Sequence, residues 1–205
     1  MSKRVPLNTI SELASGLPQV REGSGLAGPS FVVLGPRDLT EEGRVELHDE
    51  EPLHLPHSVE RYKVRAGDVL VQSRGAAGAL RVGLVNGELR PAINSSNLIR
   101  VRPQPGYLPE VLVAFLLSST GQKELQRRAV GTSTRALSAE DLGTLEVPLP
   151  DLETQKRIVS LWEVVNRAYS EAVKAAEERR AFGVGFVEHL LGGTPLPTFD
   201  FGGRR

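Results

Sequence analysis

The most constraining feature of this chain is the stretch that opens on two prolines, PLPDLETQKRIV, at residues 148–159. Proline cannot donate to a β-ladder, so Pro148 and Pro150 end whatever strand precedes them. Asp151 then has the side chain of a helix N-cap. Beyond it, Ile158, Trp162, Val165, Tyr169, Ala172 and Ala176 recur at steps of four and three. That spacing predicts one helix from Asp151 to about Phe182, about 45 Å long at 1.5 Å per residue. A four-three repeat is the seam of a helix that packs along another helix. The segment EAVKAAEERR (171–180) is small and charged, which suits close helix–helix contact. The competing reading is a helix laid along its own domain. Downstream, only FVEHLL at 186–191 offers a surface to cover it.

Residues 1–150 read as one mixed α+β domain with a mostly antiparallel sheet. Residues 9–14 (TISELA) resemble a short helix closed by Gly16. Residues 31–34 (FVVL) and the VLV after the Ala66-Gly67-Asp68 turn read as strands. Residues 81–90 carry Asn86-Gly87 between short apolar runs, the signature of a type I′ hairpin. In 97–102, Ile99 and Val101 alternate with Arg100 and Arg102. Pro109 starts a helix, another spans about 122–129, and Ser138 caps a third short one. The acidic, proline-interrupted stretch 38–57 reads as surface loops.

Composition sets the class by exclusion. The chain has 205 residues and no cysteine, so disulfides, thiol catalysis and Cys-ligated zinc are excluded. The start, MSKRVPLNTISELASGL, lacks a signal-peptide core, and no apolar run is long enough to span a bilayer. A cytoplasmic protein with no membrane contact is expected. Net charge is zero, but it is unevenly spread. Residues 61–102 hold eight basic side chains against two acidic, and residues 37–60 hold two against eight. Such asymmetry can give a neutral molecule one strongly positive face.

Catalytic motifs are scarce. GSGLAG at 23–28 spells a dinucleotide fingerprint, but Pro29 follows where a helix should start, so it reads as a loop. His48, His54 and His57 lie among carboxylates without ligand spacing, and a solvated acidic loop is the plainer reading. No acidic residue stands two places before any lysine, so the usual nuclease hook is missing, and no phosphate-binding Walker loop is present. The chain reads as a binder with no catalytic site, cofactor or metal of its own.

The groups suited to an anion are arginines, hydroxyls and glycine-flanked backbone. They concentrate in Ser73-Arg74-Gly75, at Arg81, in Asn94-Ser95-Ser96, and in the loop 131–135. Lys63, Arg65, Ser73, Arg74, Arg81, Arg128, Thr132 and Arg135 are the candidate DNA contacts. Arginine and asparagine match guanine and adenine edges in the major groove. Aromatics make up only 5% of the chain, too few for single-strand stacking to dominate. Duplex DNA is therefore the expected ligand. Ile158, Trp162, Val165, Tyr169 and Ala172 are the candidate helix-pairing residues.

The order of these pieces resembles a family. VPLNTISELASG (5–16), RAGDVLVQSRGAAG (65–78), NLIRVRP (97–103), LLSSTGQKEL (116–125), VGTSTRALSAEDL (130–142), VPLPDLETQKRIV (147–159) and HLLGGTPL (189–196) together resemble the specificity subunit of type I restriction-modification systems. The likeness spans nearly the whole chain and corresponds to one half of that subunit. It implies a DNA target-recognition domain at 1–150, a spacer and dimerisation helix region at 151–191, and a tail at 192–205. It also implies a non-enzymatic reader of duplex DNA that docks a methyltransferase subunit, with the restriction subunit as a further candidate partner. S-adenosylmethionine is expected on that partner, which would methylate an adenine flipped out of the stack. The family's full subunit has two domains and two helices, and here there is one of each. A homodimer with antiparallel helices follows, reading a palindromic bipartite site. A remnant of a longer subunit stands as one alternative. Another is a scaffold that binds a methyltransferase through its helix without reading DNA. A nuclease built on the 48–57 histidines is the third.

Overall fold

The computed structural model describes residues 3–18, 29–48, 51–76, 78–87, 89–132 and 134–192. The chain divides into two compact units, Met1–Trp162 and Glu163–Arg205. The GSGLAG segment at 23–28 lies outside the described residues.

A four-stranded antiparallel sheet forms the middle of the first unit. Its strands are β2 (Ser11–Ser15), β5 (Val69–Gln72), β7 (Val82–Leu84) and β9 (Leu98–Pro103), in the order β2-β9-β5-β7. Strand side chains alternate between faces, so one apolar strand can serve two cores. Val69, Val71, Ile99 and Val101 face one cluster with Val82 and Leu84. Helices α1 (Pro109–Leu117), α2 (Ser119–Arg128) and α3 (Ala139–Gly143) cover that cluster with Leu112, Leu116, Leu125 and Leu142. Leu70 and Leu98 point the other way, into a second cluster with Val32, Leu34 and Ala92. Those residues come from β3 (Ser30–Leu34) and β8 (Ala92–Asn94), which pair in parallel, with β4 (Leu53–His54) on the other edge of β3. Phe31 and Ile93 project from this second sheet into a third cluster with Leu55 and Val59. Two short ribbons complete the unit. β1 (Lys3–Pro6) pairs with β11 (Glu146–Leu149), and β6 (Arg74–Ala76) with β10 (Thr134–Ala136).

The architecture is the expected α+β fold with mostly antiparallel sheets and a long C-terminal helix. Three local expectations are corrected. Residues 11–15 form a strand, because β9 offers a full ladder from Ser11↔Pro103 to Ser15↔Ile99 and tertiary pairing outweighs local helix preference. No hairpin forms within 81–90 among the described residues. β7 pairs with β5, and the chain continues past Gly87, whose φ is 72°, to put β8 beside β3. The acidic stretch after Asp38 is not wholly surface. Leu39, Val45, Leu55 and Val59 are buried, and buried Asp38 accepts the Gly35 N–H at 2.7 Å.

Two of the eight basic residues counted in 61–102 hold the fold together. Arg100 is buried, donates to the carbonyls of Arg61 and Lys63 at 3.1 and 3.0 Å, and pairs with Glu12 at 2.9 Å. Arg102 donates through Nε and Nη2 to the two oxygens of Asp68, at 2.7 and 2.8 Å. Asp68 has no exposed surface, and its Oδ2 also accepts the Arg65 N–H at 2.7 Å. The hydrogen bond and charge of Asp68 push the Arg102 pKa further up. Together these bonds pin the loop 61–68 against the sheet.

Helix α4 spans Leu152–Leu190 and so extends past Phe182 as one element; Gly183 and Gly185 do not end it. At 39 residues it measures about 58 Å. The segment 186–190 is part of this helix and cannot fold back to cover it. Asp151 caps it, its Oδ1 accepting the Thr154 N–H at 2.8 Å. That bond lowers the Asp151 pKa, so the cap holds at neutral pH and weakens only as acid protonates the carboxylate. Gln155, which the heptad reading passed over, docks the helix. It is buried, accepts the Leu108 N–H at 2.8 Å, and donates to the carbonyls of Gly106 and Pro150, both at 3.0 Å. Ile158 and Trp162 pack against the cluster under α1. The other three helix-pairing candidates, Val165, Tyr169 and Ala172, are exposed.

Gln155→Leu removes three part-buried bonds, each worth about 1 kcal/mol, so it should destabilise the first unit by about 3 kcal/mol in urea unfolding. Arg102→Ala strands the Asp68 carboxylate and should cost a similar ~3 kcal/mol. A loss under ~1 kcal/mol in either variant contradicts these assignments.

Candidate nucleic-acid interface

Two segments that stand about sixty residues apart in sequence meet as the β6–β10 ribbon. Its register sets Arg74 opposite Ala136, and Gly75 opposite Arg135. The ribbon is anchored at Ser73, where three segments converge. The Ser73 N–H donates to the Asn97 carbonyl at 2.8 Å, and its hydroxyl donates to the Ser96 carbonyl at 3.0 Å. Its carbonyl accepts the Leu137 N–H at 2.8 Å. Ser73 is 7% exposed, so it positions its neighbours rather than meeting a ligand. Gln72 holds the next step, donating to the Arg74 carbonyl at 2.7 Å and accepting the Arg81 N–H at 3.1 Å.

The result is an open concavity of about 370 Å³. Arg74 and the Ser95-Ser96-Asn97 turn supply its polar lining, and Leu17, Val33, Leu53 and Leu55 its apolar lining. Two glycines make the surrounding backbone possible. A Cβ on Gly16 would collide with the Ser95 carbonyl, and one on Gly131 with the Thr134 carbonyl. Gly131 also takes φ 124°, which disfavours a side chain. Asn94, expected among the anion contacts, is buried and donates to the Leu98 carbonyl at 3.0 Å. It shapes the turn from behind.

A second concavity, of about 410 Å³, is lined by Lys63, Arg65, Arg90 and the backbone around Gly87 and Pro91. It carries three cations. Glu60 lies 3.9 Å from the Lys63 ammonium. Pro91 and Ser95 flank β8, so the two concavities lie at its opposite ends. Four strand steps separate those residues, about 13 Å, which is close to the rise of four base pairs. Arg90 escaped the sequence reading because it sat in the expected hairpin, and Asn97 because it read only as the start of a strand.

The remaining candidates are distributed as follows. Arg81 is exposed and leans on the carbonyls of Pro36 and Leu39, each at 3.4 Å. Arg135 donates to the Gln126 carbonyl at 2.9 Å, tying β10 to the end of α2. Thr132 is exposed beside it. Arg128 is half-buried and bound to Glu124 at 2.7 Å. That hydrogen bond, with the charges of Arg127 and Arg128, lowers the Glu124 pKa. The structure therefore joins Arg74 and Arg135 on one ribbon, leaves Thr132 in the loop before it, and gathers Lys63 and Arg65 with Arg90. Arg81 leans on the 36–39 turn, and Arg128 sits in an intrahelical pair.

His48 pairs with Asp38 at 3.1 Å. Among the described residues no group of three or more acidic or histidine side chains could hold a metal. No helix described is long and apolar enough to cross a membrane.

The fold is similar to that of known proteins. The HsdS subunit from Thermoanaerobacter tengcongensis superposes with a TM-score of 0.56 at 22% identity, covering 85% of this chain and 39% of that one. The type I restriction-modification S subunit from M. genitalium gives 0.56 at 14% identity, over 88% and 43%. A chain solved in work on complex assembly and conformational transition of the type I R-M system gives 0.64 at 21% identity, over 87% and 42%. At these identities the likeness is one of fold, and the chain spans about two-fifths of the length of each. No curated protein sequence matches significantly. The family described as type I restriction modification DNA specificity domain matches residues 54–176. That match covers more than half of the sequence, including the concavity of Lys63, Arg65 and Arg90, the ribbon and the start of α4, and the chain belongs to this family.

Proposed function

We propose that this chain is a half-length specificity subunit that reads duplex DNA and leaves catalysis to partners. The observation that carries the reading is the convergence of Arg74 with the Ser95-Ser96-Asn97 turn in one open concavity, at the far end of β8 from a three-cation concavity. An arginine and an asparagine presented beside hydroxyls and apolar surface can discriminate base edges. A cluster of cations suits phosphates, which position a duplex without reading it. The pinned loop 61–68 presents Lys63 and Arg65 with little ordering cost on binding. Arg135 lies on the same ribbon and Thr132 in the loop that leads into it.

On this reading the subunit has no catalytic site and no cofactor of its own. It directs a methyltransferase that uses S-adenosylmethionine, and the restriction subunit joins the same assembly. The working form on this reading is a homodimer, with identical half-sites in inverted orientation. A cytoplasmic location fits DNA as the ligand.

Arg74→Ala should weaken binding to the preferred duplex by about tenfold or more, and relax selectivity at one base pair. Arg65→Ala and Arg90→Ala should weaken all sequences alike and each lower the slope of log K against log salt by about one. Fluorescence anisotropy across a salt series separates the two behaviours. Unchanged affinity and slope in all three variants would favour the scaffold alternative, in which the helix binds a methyltransferase and the domain reads nothing.

A further inference from the structure

The concavity beside Arg74 has an apolar side that a phosphate would not need. Leu53 on β4 and Leu55 just past it line this side, with Val33 on the neighbouring β3 and Leu17 beyond the end of β2. Leu55 belongs to the third core cluster, and Leu17 and Val33 pack on that cluster, so buried side chains back the wall. Backbone bonds hold it too. The Leu17 N–H donates to the Asn94 carbonyl at 2.7 Å, and the Leu55 N–H to the Pro29 carbonyl at 3.1 Å. Leu53 is the most open residue of the wall, at 42% exposed. Two of these leucines come from the acidic stretch 38–57, whose charge suits no phosphate.

The opposite side is polar and carries no negative charge. Arg74, Ser96 and Asn97 are exposed. Among the described residues nothing is bonded to the Arg74 guanidinium or the Asn97 side-chain amide, and no carboxylate lines the space.

These groups discriminate among ligands. A guanidinium offers donors only, so it suits two neighbouring acceptors, as on O6 and N7 of guanine, and not the amino group of cytosine. The asparagine amide offers a donor and an acceptor, which match N7 and the amino group of adenine. A phosphate would lose hydration against the leucines, and the three cations at the other end of β8 serve it better. No aromatic side chain lines the space among the described residues, so an unstacked base finds no platform. The apolar group that a base pair does present in the major groove is the C5-methyl of thymine, and it belongs to the same pair as adenine. A rounded space of about 370 Å³ is about 9 Å across, room for the edges of two or three pairs stacked about 3.4 Å apart.

Resting on the DNA reading above, we infer that this concavity takes two adjacent base pairs, a G·C pair through Arg74 and an A·T pair whose thymine methyl seats on the wall of Leu53 and Val33. Asn97 takes the adenine of the second pair. Recognition at this step then depends on a methyl group as well as on hydrogen bonds, and Leu53 is a specificity-determining residue. Because the wall is already backed by the core, the methyl displaces water from it without a cost of ordering.

Uracil is thymine without the methyl and keeps every hydrogen-bonding group, so it isolates this contact. The duplex that the full chain enriches from a randomised pool is remade with uracil for thymine, one position at a time, and affinity is read by fluorescence anisotropy. One exchange, in the pair next to the one at which Arg74→Ala relaxes selectivity, should weaken binding about fourfold. In Leu53→Ala that difference should fall to about twofold or less. Leu53 belongs to none of the three core clusters, so the variant leaves them intact. An undiminished uracil effect in Leu53→Ala would seat the methyl elsewhere and overturn the inference. So would a preferred duplex with no thymine beside the Arg74 pair, or one in which its exchange leaves affinity unchanged, and either result leaves the DNA reading standing. A chain that enriches no duplex, alone or with a cognate methyltransferase, refutes the DNA reading and the inference together.

Discussion

Three hydrogen bonds at Ser73 tie together the end of β5, the turn that follows β8 and the strand that leaves the Thr132 loop. The candidate interface depends on that junction. Each bond involves a buried group, so breaking one leaves a donor or acceptor without water to replace its partner. Because the junction is satisfied from three directions, the Arg74 backbone has one place to be. Arg74 then lines one concavity with the Ser95-Ser96-Asn97 turn.

The positive charge of this region works at two depths. Arg100 and Arg102 are spent inside the protein, on backbone carbonyls, Glu12 and the buried carboxylate of Asp68. Their task is to immobilise the loop 61–68. Lys63, Arg65 and Arg90 take the outer role that the charge count suggested. A neutral chain can thus bear a cationic surface, since buried ion pairs cancel locally and exposed cations are left to set the field. The same separation governs α4. Gln155, Ile158 and Trp162 fasten its first turns to the domain, and the apolar stripe further along is exposed.

Much of the fold was legible where a local rule decides. The Pro148/Pro150 stop, the Asp151 cap, the Ser138 cap and the alternation of Ile99 and Val101 with two arginines all reflect chemistry within a few residues. The failures have one cause. SELAS at 11–15 forms a strand and the Asn86-Gly87 hairpin is not seen, because β9 and β3 supply ladder partners from elsewhere in the chain. The site was half legible. Arg74 and Arg135 could be chosen as residue types suited to DNA, but no spacing rule shows that their strands pair. Nor does any show that Ser73 and Asn94 point inward. Gln155 was invisible for a similar reason, since a lone polar residue near a helix start carries no signal until Gly106, Leu108 and Pro150 surround it.

The most direct test of this account is selection from a pool of randomised duplexes with the full chain, alone and with a cognate methyltransferase, followed by sequencing. The account predicts enrichment of a bipartite inverted repeat with a fixed gap, and its loss of definition at one symmetric position in Arg74→Ala. Recovery of unselected sequence under both conditions, from a folded protein, would contradict it.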